Sequence, residues 1–334
     1  MSQLILASVG DVDESVRLDD HPDLTPGPGD VLVAMEAATL NDTDFRFAAG
    51  RYAVKPQLPS VMGTEGVGRV LAAGPDADQS LVGQRVILLP TPTYQQGSWA
   101  DQAVIPAGSV VPVGEQGDPL QLAMLAMNPP TADLLLSRFV SLRPGDWVGQ
   151  DQGNSAVGQY VIGLARNAGL RTLSVVRREA AAEQLRALGA DIVLVDGDGL
   201  GDRIAAALGT DRLRLVLDGV GGPAPAALAR SLEFGGTVVS YGSSTGQPPA
   251  VTAQDLIFRD VQVRGFWLIN WLRTAPRAEI EETYARLDGL LRQGVVKAAV
   301  AAAYPLSEYR AAFAQARSAG RPGKVLFTFP PGPA

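Results

Sequence analysis

One stretch of this 334-residue chain has residue types and spacing suited to holding a phosphorylated ligand. Gly153-Asn154-Ser155-Ala156-Val157-Gly158 forms a small-residue turn, and Arg177-Arg178 follows at the end of a β-branched run. Small residues let backbone approach a pyrophosphate. The helix that follows offers free N–H groups and the positive end of its dipole. Ser155 stands where the second glycine of a GxGxxG turn usually sits, so taken alone the turn is equally a packing device. An NAD site carries an acidic residue roughly 20 residues further on, bonded to the ribose hydroxyls. Here that place, nineteen residues past Gly158, holds Arg177. A carboxylate would repel a 2′-phosphate, whereas a guanidinium pairs with it bidentately. The cofactor expected is therefore NADPH. Two solvated arginines at a strand end are the other reading.

These residues need a strand–turn–helix–strand frame, and the surrounding pattern supplies it. Trp147–Gln150 reads as a strand. Val157, Val161, Ile162 and Leu164 then recur at helical spacing within Ala156–Asn167, and Arg171–Val176 is the next strand. The alternation continues. Helix Glu179–Leu188 precedes strand Asp191–Val195, and helix Asp202–Leu208 precedes strand Leu213–Leu217. Helix Pro225–Leu232 precedes strand Thr237–Tyr241, and Val261–Leu268 is one further strand. That is a doubly wound α/β unit. Its strand-end loops, Asp151–Ser155, Arg177–Glu179, Asp218–Gly222 and Tyr241–Ser244, should line a cofactor crevice.

The first part of the chain differs. Leu4–Val9, Val31–Ala38, Val61–Ala73, Gln84–Leu89 and the Gly97–Val113 region read as short strands between turn residues, which suggests a compact barrel-like β domain. Asp118–Arg138 turns helical, interrupted by Pro129-Pro130. Glu279–Leu291 and Leu306–Ala316 are amphipathic helices, and Lys324–Phe329 is a final strand expected to rejoin the first domain. No repeat or low-complexity linker is seen.

Composition excludes several functions. Net charge is −7, against a nucleic-acid partner, since phosphate backbones need a basic face. With no Cys there are no disulfides, no thiolate chemistry and no Cys-ligated zinc. The single His, His21, sits in a Pro/Asp-rich turn and is expected to be solvated. No apolar run approaches the ~20 residues that span a bilayer. The start lacks a basic leader, so a cytoplasmic location is expected.

Several blocks together carry a family resemblance. They are Leu40-Asn41-Asp42-Thr43-Asp44 with Gly50-Arg51-Tyr52; Gly63-Thr64-Glu65-Gly66-Val67-Gly68; Met127-Asn128-Pro129-Pro130-Thr131-Ala132; Pro144-Gly145-Asp146-Trp147; Asn154 to Gln159; Val175 to Arg178; and Leu256-Ile257-Phe258 through Arg264 to Leu268. The whole chain resembles the zinc-independent branch of the medium-chain dehydrogenase/reductase superfamily, in particular the mitochondrial-type 2-enoyl-CoA/ACP reductases. Quinone reductases share several of the blocks. The resemblance implies a GroES-like β-barrel catalytic domain over residues 1–125 and 270–334, and a Rossmann cofactor domain over 126–269. Zinc-dependent relatives have a GHE motif where this chain has Gly63-Thr64-Glu65. Thr64 cannot replace an imidazole ligand, so the usual N/S donors for a catalytic zinc are missing and no metal is expected.

By the same resemblance Tyr52 acts at the substrate. Hydride goes to Cβ of an α,β-unsaturated thioester and leaves an enolate. A phenol, protonated near neutral pH, then bonds the thioester oxygen or protonates Cα. The residues alone favour a packed surface side chain for Tyr52, and the resemblance is what brings it to the substrate. Asn128 is implied as a nicotinamide-side contact and Asn154, Ser155, Ala156 and Val157 as the pyrophosphate loop. Arg177 and Arg178 are implied as the 2′-phosphate site. Tyr241, Gly242 and Ser243, with Phe266, Trp267 and Leu268, are implied as nicotinamide-proximal loops, and Lys324 as a last cofactor contact. Asp44 is expected to hold its loop by a hydrogen bond. The edge-like strand Val261–Leu268 implies a homodimer. An acyl group on CoA or on an acyl carrier protein would need cations at the mouth, for which Arg46, Arg51, Lys55, Arg264 and Arg273 are available. The alternatives are an NADPH:quinone or small-enone reductase on this fold, and a non-enzymatic NADPH-binding partner protein.

Overall fold

The computed structural model describes residues 1–21, 23–94 and 97–330. The chain divides into two compact units. One comprises residues 1–130, 271–294 and 298–334, and the other residues 131–270 and 295–297.

The second unit is built on a six-stranded sheet in which every paired neighbour is parallel. In spatial order its strands are Ile192–Val195, Arg171–Val176, Trp147–Gln150, Leu213–Asp218, Leu232–Ser240 and Gln262–Gly265. That is the 3-2-1-4-5-6 order of a Rossmann sheet, which reverses direction on the two sides of its first strand. Strand Trp147–Gln150 is buried throughout because it lies at the centre. Leu173, Val175, Leu213, Val216 and Val238 pack with Ile204 and Leu228 of the covering helices on one face. Ile162, Val176, Ala182 and Leu185 form a core cluster of their own. The helix Ala156–Asn167 and the strand Arg171–Val176 lie where the residue pattern places them.

The expected strand Val261–Leu268 is shorter. Only Gln262–Gly265 pairs, along one side of the sheet, and Leu268 instead opens a helix, Leu268–Thr274. All four strand residues are exposed, as expected of a strand with one open edge.

The first unit is the GroES-like β domain. Its larger sheet runs Val300–Pro305, Lys324–Thr328, Asp30–Leu40, Gly66–Ala73, Arg85–Leu88 and Val110–Pro112, with Gln102–Pro106 also paired to Asp30–Leu40. A smaller antiparallel sheet joins Val16–Asp20, Ser2–Leu6 and Ser60–Val61. The final strand does rejoin this unit: Val325 lies opposite Leu40 in antiparallel register. The core centres on Trp99, which is fully buried against Phe313 and Phe327 at ring-centroid distances of 5.4 and 5.5 Å. Trp99 donates its indole N–H to the Thr39 carbonyl at 3.1 Å, so its one polar atom is satisfied.

Three sequence expectations change here. Pro129-Pro130 does not interrupt a helix. The helix Asn128–Ser137 starts one residue earlier, so both prolines lie in its first turn, where a missing N–H costs nothing. His21 is buried, not solvated. Its N–H donates to the Met1 carbonyl at 3.0 Å, extending the antiparallel pair that sets Asp20 opposite Ser2. A short helix, Asp42–Ala48, forms where none was expected, closed by a capping box between Asn41 and Asp44. Among the described residues no helix is long and apolar enough to cross a membrane.

Candidate functional site

In the Rossmann unit the turn after the first strand is shaped by close packing. A Cβ on Gly158 would lie 2.5 Å from the Gly153 carbonyl oxygen, and one on Gly153 would lie 2.8 Å from Leu185 and Ser174 side-chain carbons. Only glycine lets helix and turn meet this closely. Ser155 is the N-cap: its hydroxyl accepts the Gly158 N–H at 3.0 Å. That leaves the N–H groups of Ala156 and Val157 at the helix start, while Asn154 is exposed beside them. The serine in place of a second glycine is thus a cap. Buried Gln150 braces the turn by donating to the Gly158 carbonyl at 3.2 Å and to the Ser174 hydroxyl at 2.9 Å. Arg177 and Arg178 are exposed at the carboxyl end of Arg171–Val176. The adjacent Glu179 is engaged by Arg186 at 2.6 Å, so it does not hold them. The turn therefore fits a dinucleotide: a cradle with no room for a Cβ, a capped helix start, and guanidinium groups at the neighbouring strand end.

Tyr241, Gly242 and Ser243 follow the strand Leu232–Ser240. The Tyr241 N–H bonds the Asp218 carbonyl at 2.9 Å, and a Cβ on Gly219 would come 2.9 Å from the Tyr241 hydroxyl. Burial raises the Tyr241 phenol above its ordinary value. Ser243 is exposed and bonds the Gln247 carbonyl at 3.1 Å. Phe266 continues the edge strand with an N–H to the Ser240 carbonyl at 2.9 Å, and its ring stands edge-on to Phe139 with centroids 6.0 Å apart. Trp267 is half-buried and Leu268 buried.

The motifs did not single out a carboxyl pair at the carboxyl ends of the two central strands. Asp151 Oδ1 accepts the Gly219 N–H at 2.9 Å, and Asp218 Oδ1 accepts the Val220 and Gly221 N–H groups at 3.1 and 2.7 Å. The remaining oxygens, Asp151 Oδ2 and Asp218 Oδ2, are buried without a hydrogen-bond partner. Burial, followed by the charge of Asp218, pushes Asp151 up to about 8. A carboxyl raised this way contributes stability that is complete below the ordinary value near 4. That contribution is lost as pH rises through about 8. Asp151→Asn removes the ionisation and keeps the side-chain shape. The expected outcome is an unchanged Tm at pH 5 and a Tm higher by about 3–8 °C at pH 9. Thermal unfolding at both pH values checks it; parallel profiles for the two proteins would contradict the raised proton affinity of Asp151.

In the β unit a second polar cluster is buried. Asn41 Nδ2 donates to Glu65 Oε1 at 2.8 Å, and the Met127 N–H donates to Glu65 Oε2 at 2.9 Å. Asp44 accepts the Asn41 N–H and the Thr64 hydroxyl, both at 2.8 Å. Lys324 donates its amine to Asn41 Oδ1. The antiparallel register explains that contact, because Val325 opposite Leu40 sets Lys324 beside Asn41. Burial pushes Asp44 up to about 6 and Glu65 up to about 7, and it lowers the Lys324 amine. Thr64 is thus a hydroxyl committed to Asp44. Among the described residues no group of three His, Cys, Asp or Glu side chains could hold a metal ion. Asn128, at the start of its helix, keeps its amide Nδ2 buried with no hydrogen-bond partner. A buried donor left open fits a ligand carbonyl.

Tyr52 follows the helix Asp42–Ala48 through a turn at Gly50, whose φ of 64° suits glycine. The Tyr52 ring is half-buried, and its hydroxyl donates to the Tyr94 hydroxyl at 3.0 Å. Tyr94 carried no sequence signal; it lies in a Pro/Thr loop, 42 residues away. Among the basic residues, Arg46 pairs with Asp42 at 2.6 Å, Lys55 bonds the Gly50 carbonyl, and Arg264 stacks 5.3 Å from the Phe139 ring centroid.

Comparison with known proteins agrees with this architecture. Residues 27–115 match the alcohol dehydrogenase GroES-like domain, and residues 156–287 match the family described as zinc-binding dehydrogenase. The chain is 35% identical to the mitochondrial enoyl-[acyl-carrier-protein] reductase of Rattus norvegicus over 92% of this chain and 83% of that protein. A putative NADPH:quinone reductase from Bacillus thuringiensis superposes with a TM-score of 0.89 at 25% identity, covering 98% of each chain. A mycobacterial protein solved in complex with NADPH gives 0.84 at 26% identity, over 98% of this chain and 99% of that one. The fold, the matched domains and the near full-length likeness place this chain in the medium-chain dehydrogenase/reductase superfamily: it belongs to the mitochondrial-type enoyl-[acyl-carrier-protein] reductase family of nicotinamide-dependent oxidoreductases.

Proposed function

We propose that the protein reduces the C=C bond of a 2-enoyl thioester, on CoA or on acyl carrier protein, with NADPH as the cofactor. The observation that carries this reading is the 35% identity to an enoyl-[acyl-carrier-protein] reductase over 92% of the chain. NADPH, when bound, supplies the hydride that adds at Cβ. Tyr52 meets the resulting charge, by a hydrogen bond to the thioester oxygen or by a proton to Cα. Ser155, Ala156 and Val157 hold the pyrophosphate at the helix start, with Asn154 beside them. Arg177 and Arg178 take the 2′-phosphate. Asn128, through its open amide, is a nicotinamide-side contact, and Tyr241, Gly242, Ser243, Phe266, Trp267 and Leu268 are further cofactor-binding residues. Lys324, steadied by Asn41, makes the last cofactor contact.

The chemistry is proposed without a metal. The donors on hand, a Thr64 hydroxyl bonded to Asp44 and no cysteine anywhere, do not make a zinc site. The test is NADPH oxidation with hexenoyl-CoA against a simple quinone. Enoyl thioester turnover exceeding quinone turnover is expected. The reverse would favour the second reading, an NADPH:quinone reductase, for which the Bacillus thuringiensis likeness speaks.

The same proposal includes a homodimer. The open edge of strand Gln262–Gly265 exposes Val263, and Phe234, Ile257 and Phe258 of the same unit are exposed apolar side chains. Such a surface is an unpaired backbone template with an apolar surround, suited to a second copy across a two-fold axis. Sedimentation equilibrium giving the monomer mass at micromolar concentration would refute it.

A further inference from the structure

We propose that Tyr94 is a positioning residue for Tyr52, holding its phenol from behind and donating to its oxygen when the Tyr52 proton turns to the substrate. The inference rests on the role given to Tyr52. The hydroxyls are 3.0 Å apart, and the two rings lie 4.7 Å apart at 50°. Tyr52 is half-buried, whereas Tyr94 is only 2% exposed, so Tyr94 lies on the protein side of the pair.

Its placement is costly in backbone terms. Tyr94 has φ of 60°, a left-handed conformation that a bulky side chain rarely adopts. The loop holds it there by the Tyr94 N–H bonded to the Thr91 carbonyl at 3.0 Å, with the Phe47 ring 6.1 Å from its own. Strain of this kind is retained where the surrounding structure over-determines it, often at sites of function.

A hydroxyl carries one donor and two acceptor positions, so the 3.0 Å contact works in either direction. Tyr52 can donate to Tyr94 at rest, and Tyr94 can donate to Tyr52 once the Tyr52 proton is needed elsewhere. The pair is asymmetric in burial, with Tyr94 enclosed and Tyr52 half-exposed. Burial, with Tyr52 beside it, raises Tyr94 well above the ordinary phenol value. Tyr94 therefore stays protonated and remains a donor while negative charge develops on the Tyr52 oxygen. A hydrogen bond to a charged oxygen is shorter and stronger than a neutral one, and stronger still away from water. The step balances: the hydride supplies two electrons to Cβ, Tyr52 supplies the proton to the enolate side, solvent returns a proton to Tyr52, and Tyr94 keeps its own.

The test is a double-mutant cycle on Tyr94→Phe and Tyr52→Phe, with hexenoyl-CoA and NADPH. Phenylalanine retains the buried ring and removes only the hydroxyl. Tyr94→Phe alone should lower kcat about 5- to 30-fold, change KM less than about twofold and raise the solvent deuterium isotope effect on kcat. In the Tyr52→Phe background the same substitution should change kcat less than about twofold. Equal losses in both backgrounds, a loss carried by KM, or an unaltered isotope effect would overturn the inference while leaving the proposed reaction intact. Absence of enoyl thioester turnover in the native chain would overturn both, whereas full turnover in Tyr52→Phe would overturn the inference and the role given to Tyr52 while leaving the reaction.

Discussion

Tyr52→Phe should lower kcat with an enoyl thioester by about 10²- to 10³-fold, with KM for the thioester changed far less. The variant keeps the ring that packs 4.7 Å from Tyr94 and loses only the hydroxyl. Hydride addition leaves a pair of electrons on the Cα–carbonyl unit. Without a donor there, the enolate must take its proton from water that no side chain positions. A donor that acts only once charge has developed contributes to kcat and little to ground-state binding, which is why the loss should fall on kcat. Steady-state kinetics with hexenoyl-CoA checks this, and thermal unfolding should show a Tm within a few degrees of the native chain. Turnover at the native rate would remove Tyr52 from the chemistry and leave its contact with Tyr94 as packing.

The second large effect concerns the cofactor. In Arg177→Ser, kcat/KM with NADPH should fall about 30- to 150-fold, the cost of one charge-assisted contact of about 2–3 kcal/mol, while kcat/KM with NADH stays within about twofold. NADH has no 2′-phosphate, so a guanidinium at this strand end contributes nothing to it that depends on that group. Arg177 is exposed at the end of Arg171–Val176, and its loss removes no core contact, so stability should hardly change. Equal kcat/KM for NADH and NADPH in the native chain would contradict the role at once. A small NADPH loss in Arg177→Ser that becomes large only when Arg178 is also replaced would instead show that the two arginines share the phosphate. Both variants belong in one series, measured at fixed ionic strength because exposed charge contacts are screened.

The residue pattern alone determined what is local. Helix Ala156–Asn167 and strand Arg171–Val176 follow from apolar spacing and from a β-branched run, which depend on neighbours a few residues away. The doubly wound α/β class was legible for the same reason, since strand and helix periods alternate along the chain, whereas the strand order came from the structure. The tertiary structure decided the rest. It brought Tyr94 to Tyr52 across 42 positions, Lys324 to Asn41 across 283, and Asp218 to Asp151 across the two central strands. None of these pairs has a sequence spacing to betray it, because strand register and loop path set them. It also altered the chemistry of residues whose types were plain from the start. Asp151, Glu65 and Asp44 look like ordinary carboxylates until burial shifts their proton affinities. His21 looked solvated until pairing of the first two strands carried it inward. Periodicity reports which face of an element is apolar. It does not report what that face meets, and protonation and hydrogen-bond partnership depend on the meeting.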